Sequence, residues 1–203
     1  MSLEVAGLGA VWMAVAKTNR GRYANSRDGP ILVRAHYDGP ISIPIKEFRD
    51  WENIIHNPDY HPEGDHSLKA HIVDAMRLAW SDFKHNEALP LLADAIMFHD
   101  IGKPATMKPN PKTGFNSYIM HEKVGAEIFR KDYSMHYTEE EADDMEWVIR
   151  QHMNWWVVAK YGKSMALLNH RAFPLLCQLA RCDKSGLDDS VWEERMRWWD
   201  ARV

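Results

Sequence analysis

Residues 98–104 read Phe-His-Asp-Ile-Gly-Lys-Pro. The adjacent imidazole of His99 and carboxylate of Asp100 offer two metal ligands on one turn, and Lys103 adds a cation suited to phosphate. Together they point to metal-assisted hydrolysis of a phosphate ester. A metal lowers the pKa of water, so hydroxide is available near neutral pH. Asp100 can orient that water or accept its proton. Lys103 can neutralise charge on the phosphoryl oxygens. The chemistry needs further ligands, and other elements must bring them to this turn.

A helix buries positions spaced i, i+3, i+4, i+7. Five stretches fit that spacing and each includes one His or Asp: Leu92/Ala95/Ile96/His99, Leu68/His71/Ile72/Ala75, His121/Val124/Gly125/Ile128, Met145/Val148/Ile149/His152 and Leu176/Leu179/Ala180/Asp183. Taken singly, an inward histidine is usually a hydrogen-bonded core residue. An inward aspartate implies a partner, because burying an isolated carboxylate is costly. Six such groups in one small domain, counting Asp100, are explained together by one shared metal centre. His66 competes with His71 for the first-helix role. It lies off the Leu68/Ile72/Ala75 stripe, which favours His71 and leaves His66 as the alternative. His36, His56, His85, His136 and His170 have no comparable placement and read as structural or surface residues.

The surrounding elements can be laid out from pattern and punctuation. Helices are predicted over 66–84, 87–100, 118–131, 138–153, 164–170, 174–184 and 189–201, with a short one over 47–56. Asp65 is the expected cap of the first. Thr138 with Glu141 makes a capping box, and Pro174 suits a first turn. Residues 108–115 are a predicted loop. Residues 11–16, 31–34 and 41–45 read as strands, the last two bounded by Asp-Gly-Pro. The chain is therefore expected to be mainly α: a small β-rich N-terminal appendage over 1–56 and a helical bundle over 57–203. Arg20, Arg22, Arg27 and Arg34 in the appendage read as a solvated surface, with a phosphate-contacting lid as the alternative.

Composition limits the partners. The 203 residues carry 25 basic and 29 acidic side chains, a net charge of −4, which is no footprint for gripping duplex DNA. Cys177 and Cys182 lie five apart on a predicted helix and point in different directions, so a disulfide is not expected. Two free thiols suit a reducing, cytoplasmic setting. The apolar run 5–16 is too short to span a membrane and has no basic residues before it, so it reads as a buried strand.

Five motifs resemble a known family. His61-Pro-Glu-Gly-Asp65, His99-Asp-Ile-Gly-Lys-Pro104, His121-Glu-Lys-Val-Gly-Ala126, Gln151-His152-Met153 and Arg181-Cys-Asp-Lys-Ser-Gly186 are similar to the HD-domain metal-dependent phosphohydrolases. The nearest likeness is the HD domain of bacterial CCA-adding tRNA nucleotidyltransferases. The resemblance covers about residues 57–187. It implies an HD-type helical bundle in which His71, His99, Asp100 and Asp183 hold one divalent metal. His121 and His152 match the histidines of members with a second metal, and Asp100 would bridge the two. Lys103 matches the lysine that contacts substrate phosphate. The implied metal is Mn, Ni, Co, Fe, Zn or Mg. The implied substrate is a nucleotide or RNA end, hydrolysed as a 2′,3′-cyclic phosphodiester, a 2′-nucleotide or a simple phosphoester. Hydrolysis of nucleoside mono- or triphosphates and non-catalytic nucleotide binding are the alternatives. Residues 1–56 lack the acidic and glycine-rich motifs of a nucleotidyltransferase head, so CCA addition is not expected. Trp155, just after His152, is a candidate platform for a nucleobase.

Overall fold

The computed structural model describes residues 21–26, 29–36, 39–44, 51–58, 61, 65–83, 89–154, 165–183, 193 and 197. The predicted strand at 11–16, the terminal helix at 189–201 and Trp155 fall outside the described residues, apart from positions 193 and 197. Strands β1 (Gly21–Ser26), β2 (Gly29–His36) and β3 (Gly39–Pro44) form an antiparallel sheet in the order β1-β2-β3. Tyr23 pairs with Leu32, and Leu32 with Ile43. The side chains of these strands, and with them the four arginines, lie outside the described residues.

The described residues that follow are mostly helical: α1 (Leu68–Phe83), α2 (Leu89–Phe98), α3 (Lys103–Thr106), α4 (His121–Asp132), α5 (Glu139–Gln151), α6 (Met165–Leu168) and α7 (Phe173–Cys182), with a 3₁₀ turn at Ser134–His136. The centre is α2, whose sequence LPLLADAIMF is apolar almost all round, as a helix enclosed on every side should be. It packs against α1, α5 and α7. Its one acidic residue, Asp94, is buried and accepts the Tyr137 hydroxyl at 3.0 Å.

Boundaries shift where the caps dictate. Helix α1 begins at Leu68, because the Ser67 hydroxyl, rather than Asp65, accepts the Ala70 amide. Asp65 instead accepts the amide of Ser67. Thr138 and Glu141 form the expected capping box and fix the start of α5. The predicted 47–56 helix is, among the described residues, one 3₁₀ turn at 51–53. Trp51 and Ile54 nevertheless belong to the helical core. The predicted loop at 108–115 is spanned by a small hairpin, β4 (Lys108–Pro109) with β5 (Asn116–Ser117).

Helix α4 presents a different face from the predicted one. Its buried residues are His121, Gly125, Ala126 and Phe129, while Val124 and Ile128 are only partly buried, Ile128 still packing against the core. The cause is a close backbone approach. A Cβ at Gly102 would lie 2.2 Å from the His121 carbonyl oxygen and 2.6 Å from the Gly125 nitrogen. A Cβ at Gly125 would meet the Gly102 nitrogen at 3.2 Å. Glycine at both positions lets α4 approach the turn after His99-Asp100.

Gly102→Ala is expected to destabilise the fold by at least ~2 kcal/mol, because backbone must move. Gly125→Ala should cost less, about 1 kcal/mol. Urea unfolding of both variants checks this; a Gly102→Ala protein as stable as wild type would contradict the close-approach account.

Candidate metal centre

The helices deliver the donor groups at their ends. His99 and Asp100 directly follow α2. His152 and Asp183 are the C-cap residues of α5 and α7. His121 opens α4, and His71 sits in the first turn of α1. All six side chains are buried. The C-terminal ends of α2, α5 and α7 carry the negative ends of their dipoles. A carboxylate placed there, as Asp100 and Asp183 are, is disfavoured unless a cation offsets it.

Backbone carbonyls orient three of the imidazoles. His99 Nδ1 meets the Ile96 oxygen at 2.8 Å, His121 Nδ1 the Tyr118 oxygen at 2.7 Å, and His152 Nδ1 the Ile149 oxygen at 2.7 Å. A carbonyl only accepts, so each Nδ1 carries a proton, and in the neutral ring Nε2 is left as a lone pair. The Nε2 atoms of these rings and of His71 converge. His71 Nε2 and His99 Nε2 are 3.3 Å apart, and His121 Nε2 and His152 Nε2 are 3.1 Å apart.

Two triads result, His71/His99/Asp183 and Asp100/His121/His152. In the first, Asp183 Oδ1 lies 2.9 Å from His71 Nε2 and 3.5 Å from His99 Nε2. In the second, Asp100 Oδ1 lies 3.1 Å from His121 Nε2 and 3.7 Å from His152 Nε2. Two ligands about 2.1 Å from one ion, at tetrahedral to octahedral angles, sit roughly 3.0 to 3.4 Å apart. The donor separations therefore suit one ion per triad. Asp100 joins the triads, because its other oxygen, Oδ2, lies 3.2 Å from His99 Nε2 and 3.8 Å from His71 Nε2. That oxygen is buried and makes no aligned hydrogen bond among the described residues, although Lys103 Nζ is only 2.6 Å away. Proximity without alignment is what a carboxylate arranged for a cation shows. The mixture of imidazole and carboxylate suits a divalent first-row metal.

Electrostatics point the same way. Burial opposes ionisation of Asp100 and Asp183, but His99 foremost, with Lys103 beside Asp100 and His71 beside Asp183, holds both well below the usual carboxylate range. Burial also opposes protonation of His99, yet the Asp100 and Asp183 carboxylates outweigh it and raise that imidazole to about 10. A proton on His99 thus does part of a cation's work. Burial, then the nearby His99, lowers His152 to about 3, leaving it a neutral donor.

The structure brings together His71, His99, Asp100, His121, His152 and Asp183, with Lys103 beside them. His66 lies outside both triads; its Nδ1 bonds the His61 carbonyl at 2.9 Å, and its backbone is left-handed, with φ of 62°. Glu122 is 3.8 Å from His121 Nδ1, whose place beside Tyr118 O is already filled. Gln151 accepts from Asn154 Nδ2 at 2.7 Å.

Sequence reasoning missed His56, a buried residue whose Nε2 is 3.2 Å from Lys103 Nζ. Burial, then the Lys103 charge, holds it neutral. It also missed Tyr118, whose ring lies 5.6 Å from that ammonium. His61 stands beside His71 with ring centroids 5.0 Å apart; its only sequence signal was the His-Pro-Glu-Gly-Asp motif.

A bundle that joins adjacent His and Asp to three further histidines and a distant Asp has a family counterpart. Residues 64–184, more than half of the chain, match the family HD domain. The chain belongs to the HD-domain family, whose fold and donor set mark a metal-dependent hydrolase. It is 34% identical over 61 residues to the CC-adding tRNA nucleotidyltransferase of Thermus thermophilus, covering 30% of this chain and 14% of that protein. It is 29% identical over 90 residues to the A-adding tRNA nucleotidyltransferase of Deinococcus radiodurans, covering 44% and 19%. The matched segments span less than a fifth of either relative. No solved structure matches the chain. Among the described residues no helix is long and apolar enough to cross a membrane.

The sign of the His99 shift gives a prediction. A pKa raised from 6.5 to about 10 on folding stabilises the metal-free protein fully below pH 6.5, and that contribution is lost as pH rises towards 10. The depressed carboxylates contribute above their unfolded value of 3.8 and lose that contribution as pH falls. Metal-free protein should therefore lose melting temperature as pH rises from 6.5 to 9.5. Saturating metal should remove the loss, and uptake at pH 7 should release a proton, read as a buffer-dependent binding enthalpy. A melting temperature that rises with pH in the metal-free protein would contradict this charge arrangement.

Proposed function

We propose that this chain hydrolyses a nucleotide or RNA-terminal phosphoester, as a 2′,3′-cyclic phosphodiesterase, 2′-nucleotidase or phosphatase. The observation that carries the reading is Asp100: one buried carboxylate faces two pairs of imidazoles, with an ammonium beside it. His71, His99, Asp100 and Asp183 would hold one divalent ion, and Asp100, His121 and His152 a second. The metal, drawn from Mn, Ni, Co, Fe, Zn or Mg, supplies a lowered pKa for bound water and neutralises phosphoryl charge. Asp100 orients the attacking water or takes its proton. Lys103 meets a phosphoryl oxygen, where its charge counts most as negative charge builds up.

No side-chain nucleophile is required. Burial, with Asp82 and Asp183 nearby, pushes the Cys182 thiol up, so it stays protonated near neutral pH. The relatives' names, both tRNA nucleotidyltransferases, support a nucleotide or RNA substrate class. With Trp51 and Ile54 in the helical core, we place the boundary between the β appendage and this domain just before residue 51.

A panel with Mn, Ni, Co and Mg across 2′,3′-cyclic nucleotides, 2′-nucleotides, nucleoside monophosphates and triphosphates tests the reading. Hydrolysis of the first two classes is expected. Asp100→Ala should lower it at least ~100-fold and reduce bound metal. Turnover of triphosphates alone would move the chain to a nucleoside triphosphate hydrolase. Protein that retains no metal and turns over nothing would be a non-catalytic binding module.

A further inference from the structure

Lys103 is a buried ammonium, and its neighbours decide where it points. Asp100 is one of them. Another is His56, also buried, with Nε2 3.2 Å from Nζ. Tyr118 is a further neighbour. Its ring lies 5.6 Å from the ammonium and meets the His56 ring edge-on, with centroids 5.6 Å apart. The Tyr118 hydroxyl donates to the Ile55 carbonyl at 2.9 Å, tying the ring to the residue before His56.

An ammonium has three donors and no acceptor, so His56 Nε2 must accept and the ring proton must sit on Nδ1. That Nδ1 is buried and makes no hydrogen bond among the described residues. An orphaned buried donor costs stability. An apolar side chain of similar shape would avoid the cost, so packing alone does not account for an imidazole here. What the imidazole adds is a second acceptor for Lys103, besides Asp100.

We propose that His56 is a positioning residue: by accepting one Lys103 proton it fixes how the ammonium is turned beside Asp100 and so aims it at the substrate phosphate. This rests on the phosphate role proposed for Lys103. Without the His56 acceptor the ammonium keeps its contact with Asp100 but is free to turn about it. The lysine keeps its charge but loses its placement, and misplacement of a reacting partner is costly to rate.

The test uses full-length, Mn-loaded protein with 2′,3′-cyclic AMP as substrate. His56→Leu should lower kcat between about 10- and 100-fold, more than it changes KM, with metal content unaltered. His56→Gln, whose amide oxygen reaches the Nε2 position, should recover most of the loss. His56→Asn, whose oxygen reaches only the Nδ1 position, should not. In a Lys103→Met background His56→Leu should change kcat less than about twofold, since residues acting as a unit are not additive. Melting temperatures and inorganic phosphate binding are measured on all variants, so that placement of Lys103 is read even where turnover is slow. Phosphate binding should weaken in His56→Leu and return in His56→Gln. Equal activity and equal phosphate binding in the Gln and Leu variants would overturn the proposal. So would multiplicative losses in the double variant. If Lys103→Met is fully active, the phosphate role of Lys103 falls and takes this inference with it. If Lys103→Met is impaired but His56→Leu is not, this inference alone fails.

Discussion

A buried carboxylate with two divergent duties is the constraint that shapes the molecule. Asp100 sits just past the C-terminal end of α2, where the helix dipole disfavours negative charge, and it is almost free of solvent. An ionised group there is tolerated only if charge and hydrogen-bond donors surround it. Its two oxygens face different sets of nitrogens, so a single neighbour could not suffice. Donors from α1, α4, α5 and α7 must meet around the end of α2. The helical packing is the arrangement that brings four other helix ends to that one point.

Two features of the chain make the convergence possible. The glycine pair at 102 and 125 removes the side chains that would keep α4 away, so His121 arrives 3.1 Å from Asp100. The capping box at Thr138 fixes where α5 begins, and its length then places His152 at the far end. Neither feature contacts a donor atom. Both act by setting where a helix starts or how closely it lies, which for a site built from helix ends is the controlling variable.

The sequence made the donors and most helices legible for the same reason. Period-3.6 apolar stripes that include a His or Asp report burial and position together; spacing sets His71 apart from His66, and the structure places His71 beside His99 and Asp183. What was not legible depends on backbone conformation without a compositional signature. Helix α4 was read from residue 118, but Met120 adopts φ of 69° and starts the helix at His121. Methionine gives no hint of that, since glycine or asparagine is the usual occupant of such a conformation. His56 was invisible because its relation to Lys103 spans 47 residues and no helical period connects them. The segment around Trp51 was read with the β appendage because of its chain position, while its core role depends on contacts with distant helices.

Orientation of the imidazoles carries the argument one step further. Metal-binding histidines are often held by carboxylate side chains. Here His99, His121 and His152 each donate to a carbonyl three residues earlier. For His99 and His152 those carbonyls belong to the last turns of α2 and α5, where helix geometry leaves oxygens without intrahelical partners. The helix ends thus satisfy their own orphan acceptors and fix the ring tautomer in one contact. This arrangement adds no further negative charge to a centre that already buries two carboxylates. It also means that the orientation of these rings rests on backbone and not on a neighbouring side chain. Only a change in where a helix ends would turn them, which ties the chemistry of the site to the length and capping of the helices that carry it.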